Sequence, residues 1–217
     1  MTRKRRVGVL ISGRGSNLQA LIKACKKWDY PAEIVTVISN VQQAQGLLRA
    51  EAALIPTLTI NHKDFPDREA FDATLDAALK DAGVELLCNA GFLRLHTPGF
   101  VESWRDRHLN IHPSLLPAFR GLHSHERVIA AGCRISGCTV HFVRPEMDEG
   151  PIVAQAAVPV LAGDTAETLG LRVLEIEHRL YPHALALVAS GAVSVQGERV
   201  IDTNDQAQVP LFSPPVP

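Results

Sequence analysis

The sequence predicts an α/β protein: a mostly parallel, doubly wound sheet with helices on both faces and an antiparallel C-terminal part. Three observations carry that expectation. Short apolar runs of strand length alternate with stretches of helical periodicity from Val7 to His112. The runs are apolar at consecutive positions, as expected for strands covered on both faces. After Cys138 two strand-like runs follow with no helix between them, so the sheet is expected to turn antiparallel there.

Each element has its own signal. Val7–Ile11 is a short, nearly continuous apolar run, and the glycine-containing segment Ser12–Gly15 is a loop. A helix follows with Leu18, Leu21, Ile22 and Cys25 at helical spacing, for which Ser16 is the expected N-cap and Gln19 its capping-box partner. Glu33–Ile38 reads as a strand, Gln42–Leu54 as a helix and Thr57–Ile60 as a short strand. Arg68–Ala82 is helical, with Phe71, Leu75 and Leu79 on one face and Gly83 as the stop. Val84–Asn89 and Leu109–His112 are further strands, followed by Cys138–Arg144 and Ile152–Val160. A long helix comes last, with Asp164 as cap, Glu167 in the capping-box position, and Leu169, Val173, Ile176 and Leu180 as the buried stripe. Pro182 is expected to kink or break it, and Gly191 to end it. Residues 1–201 are expected to form one domain. From Asp202 to Pro217 the chain has four prolines and no basic residue, so an irregular tail is expected.

Composition narrows the function. A chain of 217 residues with 46% hydrophobic and 21% charged residues is an ordinary globular protein. Its 22 basic residues against 23 acidic ones give a net charge of -1, so nucleic acid is not an expected partner. Four cysteines are too sparse for a disulfide scaffold. Cys133, Cys138 and His141 have no second pair to complete a metal site, so no metal is expected. The basic start Arg3-Lys4-Arg5-Arg6 precedes an apolar run too short for a signal peptide, and no stretch approaches membrane-spanning length. A cytoplasmic location is expected, with small-molecule partners and no membrane.

Two segments carry chemistry. Gly13-Arg14-Gly15-Ser16-Asn17 lies between a buried strand and a helix start, where backbone amides and the helix dipole suit a phosphate. It fails the dinucleotide fingerprint, because Leu18 stands where the third glycine belongs and the second strand ends in Ser39-Asn40 rather than an acid. A single phosphate fits better; a plain strand–helix turn is the competing reading. In Leu109-Asn110-Ile111-His112-Pro113, Asn110 and His112 project to one face at a carboxyl edge, where ligands bind in open parallel sheets. An amide beside an imidazole can stabilise an oxyanion and move a proton. A structural histidine is the competing reading. Asp148, between Met147 and Gly150, is either a turn former or a carboxylate that reaches a histidine. Gly121-Leu122-His123-Ser124-His125 reads as a polar loop entering a helix near Ser124.

Taken together, Ser12–Asn17, Ala90-Gly91-Phe92-Leu93-Arg94, Asn110-Ile111-His112-Pro113-Ser114-Leu115-Leu116-Pro117 and Asp148-Glu149-Gly150-Pro151 resemble the folate-dependent formyltransferases. The resemblance runs from about Val7 to Gly191, and the Gly-Ser-Asn loop and Gly121–His125 point to members that act on glycinamide ribonucleotide. It implies transfer of a formyl group from the co-substrate 10-formyltetrahydrofolate to that ribonucleotide's amine, in purine biosynthesis, by a monomer or homodimer. It also implies roles: Gly15, Ser16 and Asn17 for the phosphate, Glu177 for the ribose or glycinamide side, and Asn110 and His112 for the formyl oxygen. Asp148 would favour the charged form of His112. Arg68, with Leu93, Arg94, Leu95, His96 and Asn110, would line the folate pocket. On their own, Glu177 and Arg68 read as exposed helical charges. Residues 93–96 depart from the family's Met-Arg-Ile-Leu, most at His96. The rivals are a relative that hydrolyses formyl-folate or acts on tRNA, each expected to carry an extra domain, and a non-catalytic sugar-phosphate-binding module.

Overall fold

The computed structural model describes residues 3–202. Its first half is β1 (Arg5–Ile11), α1 (Ser16–Cys25), β2 (Ala32–Ser39), α2 (Gln45–Glu51) and β3 (Thr57–Thr59). Then come α3 (Arg68–Asp81), β4 (Leu86–Asn89), α4 (Pro98–Ser103), β5 (His108–His112), α5 (Ser124–Ala130), β6 (Ile135–Phe142) and β7 (Ile152–Pro159). The long helix α6 (Ala166–Ser190) leads to a hairpin of β8 (Val193–Gln196) and β9 (Arg199–Asp202).

Seven strands form one sheet in the order β3-β2-β1-β4-β5-β6-β7, parallel through β5 and antiparallel from β5 to β7. The chain therefore winds from β1 to one edge, returns to β4 beside β1, and continues the other way. At such a reversal the loops after the two central strands part, leaving a crevice at their carboxyl ends.

Strand alternation divides the core. Val9, Ile11, Cys88, Leu109 and Ile111 pack toward Leu18, Leu21 and Ile22 of α1 and Val173, Leu180 and Tyr181 of α6. Leu10, Ile38 and Leu87 pack on the other side with Phe71, Leu75 and Leu79 of α3 and with Phe100 and Trp104. The expected doubly wound sheet is present.

Several local expectations are corrected. Ser16 is not the cap of α1; it is the first helical residue, and Gly15 in the left-handed region (φ 70°) stands at the N-cap with no side-chain bond. Helix α2 starts at Gln45 rather than Gln42. In α6 the capping box is Thr165 with Thr168, not Asp164 with Glu167. Asp164 instead takes both guanidinium nitrogens of Arg172, at 2.8 and 2.9 Å, and the Leu161 amide. Pro182 does not end α6. Its missing amide is outweighed by the burial of Tyr181, Ala184 and Leu185 around it, and Tyr30 Oη donates to its carbonyl at 2.6 Å. The hairpin was not expected, and Asp202 ends β9 rather than starting a tail. Gly197 (φ 60°) makes its turn, and Arg144 and Arg105 hold Glu198 beside it. The rest of the expected tail, 203–217, lies outside the described residues.

Gly15 is needed twice over. Beyond its backbone conformation, a Cβ there would lie 2.6 Å from Gly46 Cα, where α2 comes close enough for the Gly46 amide to donate to the Gly13 carbonyl at 3.0 Å. Gly15→Ala is therefore expected to destabilise the fold even without substrate. The left-handed conformation alone costs about 1–2 kcal/mol for a non-glycine residue. In a chain of this size each kcal/mol is worth about 2–4 °C. Thermal unfolding should show a melting temperature lower by about 4 °C or more; an unchanged value would mean that α2 yields freely.

Candidate active site

The site is built on β5. Leu109 and Ile111 are buried against α6, so Asn110 and His112 must project to the opposite face together with His108. Polar groups there need partners, and neighbouring strands supply them. Asn110 faces Asn89 on β4 and His141 on β6. His108 Nε2 lies 2.9 Å from Asn89 Oδ1.

His112 is held at both ring nitrogens. Nε2 donates to the Phe119 carbonyl at 3.0 Å, with Ser124 Oγ at 3.4 Å, and Nδ1 is 3.2 Å from Asp148 Oδ2. Both nitrogens thus face oxygen atoms. Asp148 does reach the histidine. It sits at φ 52°, an uncommon conformation for a non-glycine residue, and Oδ2 also accepts the Gly121 amide at 2.7 Å. One carboxylate thus joins the loop after β6 to the loop before α5.

Asn110 Nδ2 donates to His141 Nε2 at 3.2 Å, and His141 Nδ1 donates to the Phe142 carbonyl at 3.0 Å. Burial pushes the His141 pKa down, so the neutral ring keeps Nε2 as an acceptor. His141 orients the carboxamide that the sequence reading singled out, and was missed in that role. Its place opposite Asn110 on an antiparallel strand was the available signal.

The glycine loop lies between the carboxyl end of β1 and the start of α1. Ser12 ties three loops: its amide donates to the Gly91 carbonyl at 3.0 Å, its hydroxyl donates to Asn40 Oδ1 at 2.6 Å, and it accepts the Leu93 amide at 2.9 Å. The first bond of α1 is Gln19 N–H to the Gly15 carbonyl, so the amides before it are the orphan donors of a helix start. Asn17 Nδ2 donates to Glu177 Oε2 at 2.7 Å. Glu177 is only 6% exposed, which corrects its reading as an exposed helical charge. Desolvation pushes its carboxyl up, partly opposed by Asn17.

The segment 93–96 is divided. Leu93 and Leu95 are exposed and Arg94 is half-buried, so these three are open to a ligand. His96 is not. It is buried between the rings of Phe92 and Phe100, with centroids at 5.1 and 4.3 Å, and Nδ1 lies 3.2 Å from Asp72 Oδ1. The family-divergent histidine thus ties the segment to α3, where the Thr97 amide also donates to Asp72 at 2.6 Å. Arg68 is exposed one turn before Asp72, on the same helix face.

All four cysteines are free, and burial pushes the thiols of Cys25, Cys88 and Cys138 up to about 12. Among the described residues no three His, Cys, Asp or Glu side chains converge as a metal site.

The formyl transferase family model matches residues 5–185. The chain is 43% identical over 187 residues to phosphoribosylglycinamide formyltransferase of Escherichia coli, covering 86% of this chain and 88% of that protein. It is 54% identical over 194 residues, 89% of its length, to the trifunctional purine biosynthetic protein adenosine-3 of Gallus gallus, of which it spans 19%. The crystal structure of glycinamide ribonucleotide transformylase 1 from Symbiobacterium toebii superposes with a TM-score of 0.89 at 47% identity, over 92% of this chain and 94% of that one. The matched residues include both the Gly13–Asn17 loop and the Asn110–His112 edge, and the chain belongs to the formyl transferase family.

Proposed function

We propose that this chain transfers the formyl group of 10-formyltetrahydrofolate to the amine of glycinamide ribonucleotide, in purine biosynthesis. The observation that carries the reading is the convergence of Asn110, His112 and Asp148 at the carboxyl edge of the sheet, in a chain 43% identical to a phosphoribosylglycinamide formyltransferase over most of both. The reading takes residues 1–201 as one catalytic domain acting in the cytoplasm on small molecules, as a monomer or homodimer, without nucleic acid or metal. No helix among the described residues is long and apolar enough to cross a membrane.

Ribonucleotide binding falls to the start of α1. Its orphan amides at Ser16 and Asn17 receive the phosphate, and Glu177, aimed by Asn17, accepts hydrogen bonds from the sugar or glycinamide side. The formyl-folate suits the other wall: exposed Leu93 and Leu95 offer apolar surface to a ring, and Arg68 offers a cation to a carboxylate. The His96 side chain has no place in that wall; it holds the segment from behind.

Asn110 and His112 act on the formyl oxygen as negative charge builds there. The carboxamide, oriented by neutral His141, presents its donor group to that oxygen. A His112 proton reaches it only by leaving its present acceptor, either the Phe119 carbonyl or Asp148. Exchanging a neutral carbonyl for a developing oxyanion strengthens the bond, which is stabilisation felt more in the transition state than before it. Asp148 keeps the ring oriented and accepts the proton that the attacking amine loses, and that proton passes to the folate nitrogen as its bond to the formyl carbon breaks.

Mixing the protein with 10-formyltetrahydrofolate and glycinamide ribonucleotide and following loss of the formyl-folate by absorbance tests the reaction; no turnover would overturn it. In that assay His112→Ala is expected to lower kcat by about two to four orders of magnitude, the usual range for a positioned proton donor. A loss of only a few-fold would remove His112 from the chemistry.

Asp148→Asn preserves size and loses charge. It should lower kcat steeply, and the double variant with His112→Ala should fall little further than His112→Ala alone, because groups acting as a unit are not additive. Strictly multiplicative losses would reduce Asp148 to a turn residue.

Glu177 couples function to stability. Its folded pKa is raised, so its contribution to stability is fully present below the unfolded value of about 4.3 and is lost as pH rises through the folded one. Glu177→Gln should therefore melt higher than the parent at pH 8, with the gap closing toward pH 4, while the apparent KM for the ribonucleotide rises. Equal melting temperatures across that range would contradict the burial argument.

A further inference from the structure

The outer side of α1 carries a cleft that adjoins the proposed ribonucleotide site at Ser16, but whose cations that reaction does not use. The cleft, of about 580 Å³, lies between α1, the C-terminal half of α6 and Arg49 of α2. That size suits a small organic ligand. Its charged lining is Lys23, Lys27, Arg49 and Arg179, and no carboxylate lines it.

Four cations face one cleft with no acid among them, whereas Arg3, Arg105 and Arg172 each lie against a carboxylate. Lys23, Lys27 and Arg179 form no salt bridge among the described residues. Arg49 is already aimed, with Nε donating to the Arg14 carbonyl at 2.9 Å and Nη1 reaching Gln19 Oε1 at 3.4 Å. His178 also lines the cleft, and its Nε2 is shielded from solvent with no hydrogen-bond partner. Such a nitrogen is uncommon unless a ligand or water completes it. Cations on and just after α1, on α2 and on α6 repel one another across the cleft, and an anion spanning them relieves that repulsion. One phosphate is too small to meet all four, whereas linked phosphates spread charge along the cleft.

We propose that this cleft binds a small anion with two or more linked phosphates, either a free polyphosphate or the polyphosphate of a nucleotide. Long nucleic acid is not the occupant, because the overall charge is balanced at -1.

Calorimetric titration of the full chain with tripolyphosphate, ATP and orthophosphate, without divalent metal, tests this independently of turnover. Tripolyphosphate and ATP should bind at least about tenfold more tightly than orthophosphate, a difference of about 1.4 kcal/mol. The charge reversals Lys23→Glu with Arg179→Glu should weaken both by a similar factor or more, while kcat for formyl transfer and the melting temperature stay near those of the parent. Lys27→Gln, a milder change, should weaken them in the same direction. ATP binding more tightly than tripolyphosphate would assign a nucleotide, and equal binding the phosphate chain alone. No polyphosphate binding would overturn the proposal. So would affinity unchanged in the variants, which would place the ligand in the Gly15–Asn17 loop instead.

Discussion

The period-two alternation of β5 inside a sheet covered on both faces is the constraint on which the site depends. Leu109 and Ile111 lock into the core beneath α6, and a one-residue slip would bury the polar set there instead. With register held, His108, Asn110 and His112 must face the other way, and each finds a partner: Asn89, His141 and Asp148. Left unpaired at this depth, each would carry the cost of a desolvated polar group. The same partners that remove that cost also fix the orientation of the groups proposed to act on the formyl oxygen.

A second constraint comes from the reversal of the sheet between β1 and β4. It opens the crevice, and backbone-level packing shapes its rim. Gly15 reads as a phosphate-loop glycine, yet its Cβ position is closed by Gly46 of the neighbouring helix. Ser12 then ties the loops after β1, β2 and β4 together, so the start of α1 is aimed from three directions. Rigid placement of orphan amides is what makes a helix start an anion site rather than a frayed end.

The site also carries costs that the fold must offset. Glu177 is buried with one amide partner, and burial raises its carboxyl. Asp148 is in a left-handed conformation. His96, buried between two phenyl rings and linked to Asp72, spends a polar group on holding a segment whose exposed leucines are offered to a ligand. Strain and desolvation held at such positions are costs that functional sites commonly carry.

Much of this was legible in sequence, for physical reasons. Apolar runs and helical periodicity depend only on neighbouring residues, so the alternation of strands and helices and the antiparallel end were readable. Local sequence also placed Asn110 and His112 on one face and marked the glycine loop. Features that depend on residues far apart in the chain were not readable. Nothing near Pro182 says that Tyr181, Ala184 and Leu185 will be buried deeply enough to carry a helix through it. Whether Ser16 or Gly15 caps α1 was decided by α2, and whether Thr165 or Asp164 caps α6 by Arg172 eight residues after Asp164. Glu177 looked exposed until Asn17, 160 residues away, met it in the interior. Asp148 could have been a mere turn residue; only the sheet order, which brings β6 against β5, puts its carboxylate on His112. Period and propensity act between neighbours, whereas burial and pairing are set by which elements the fold brings together.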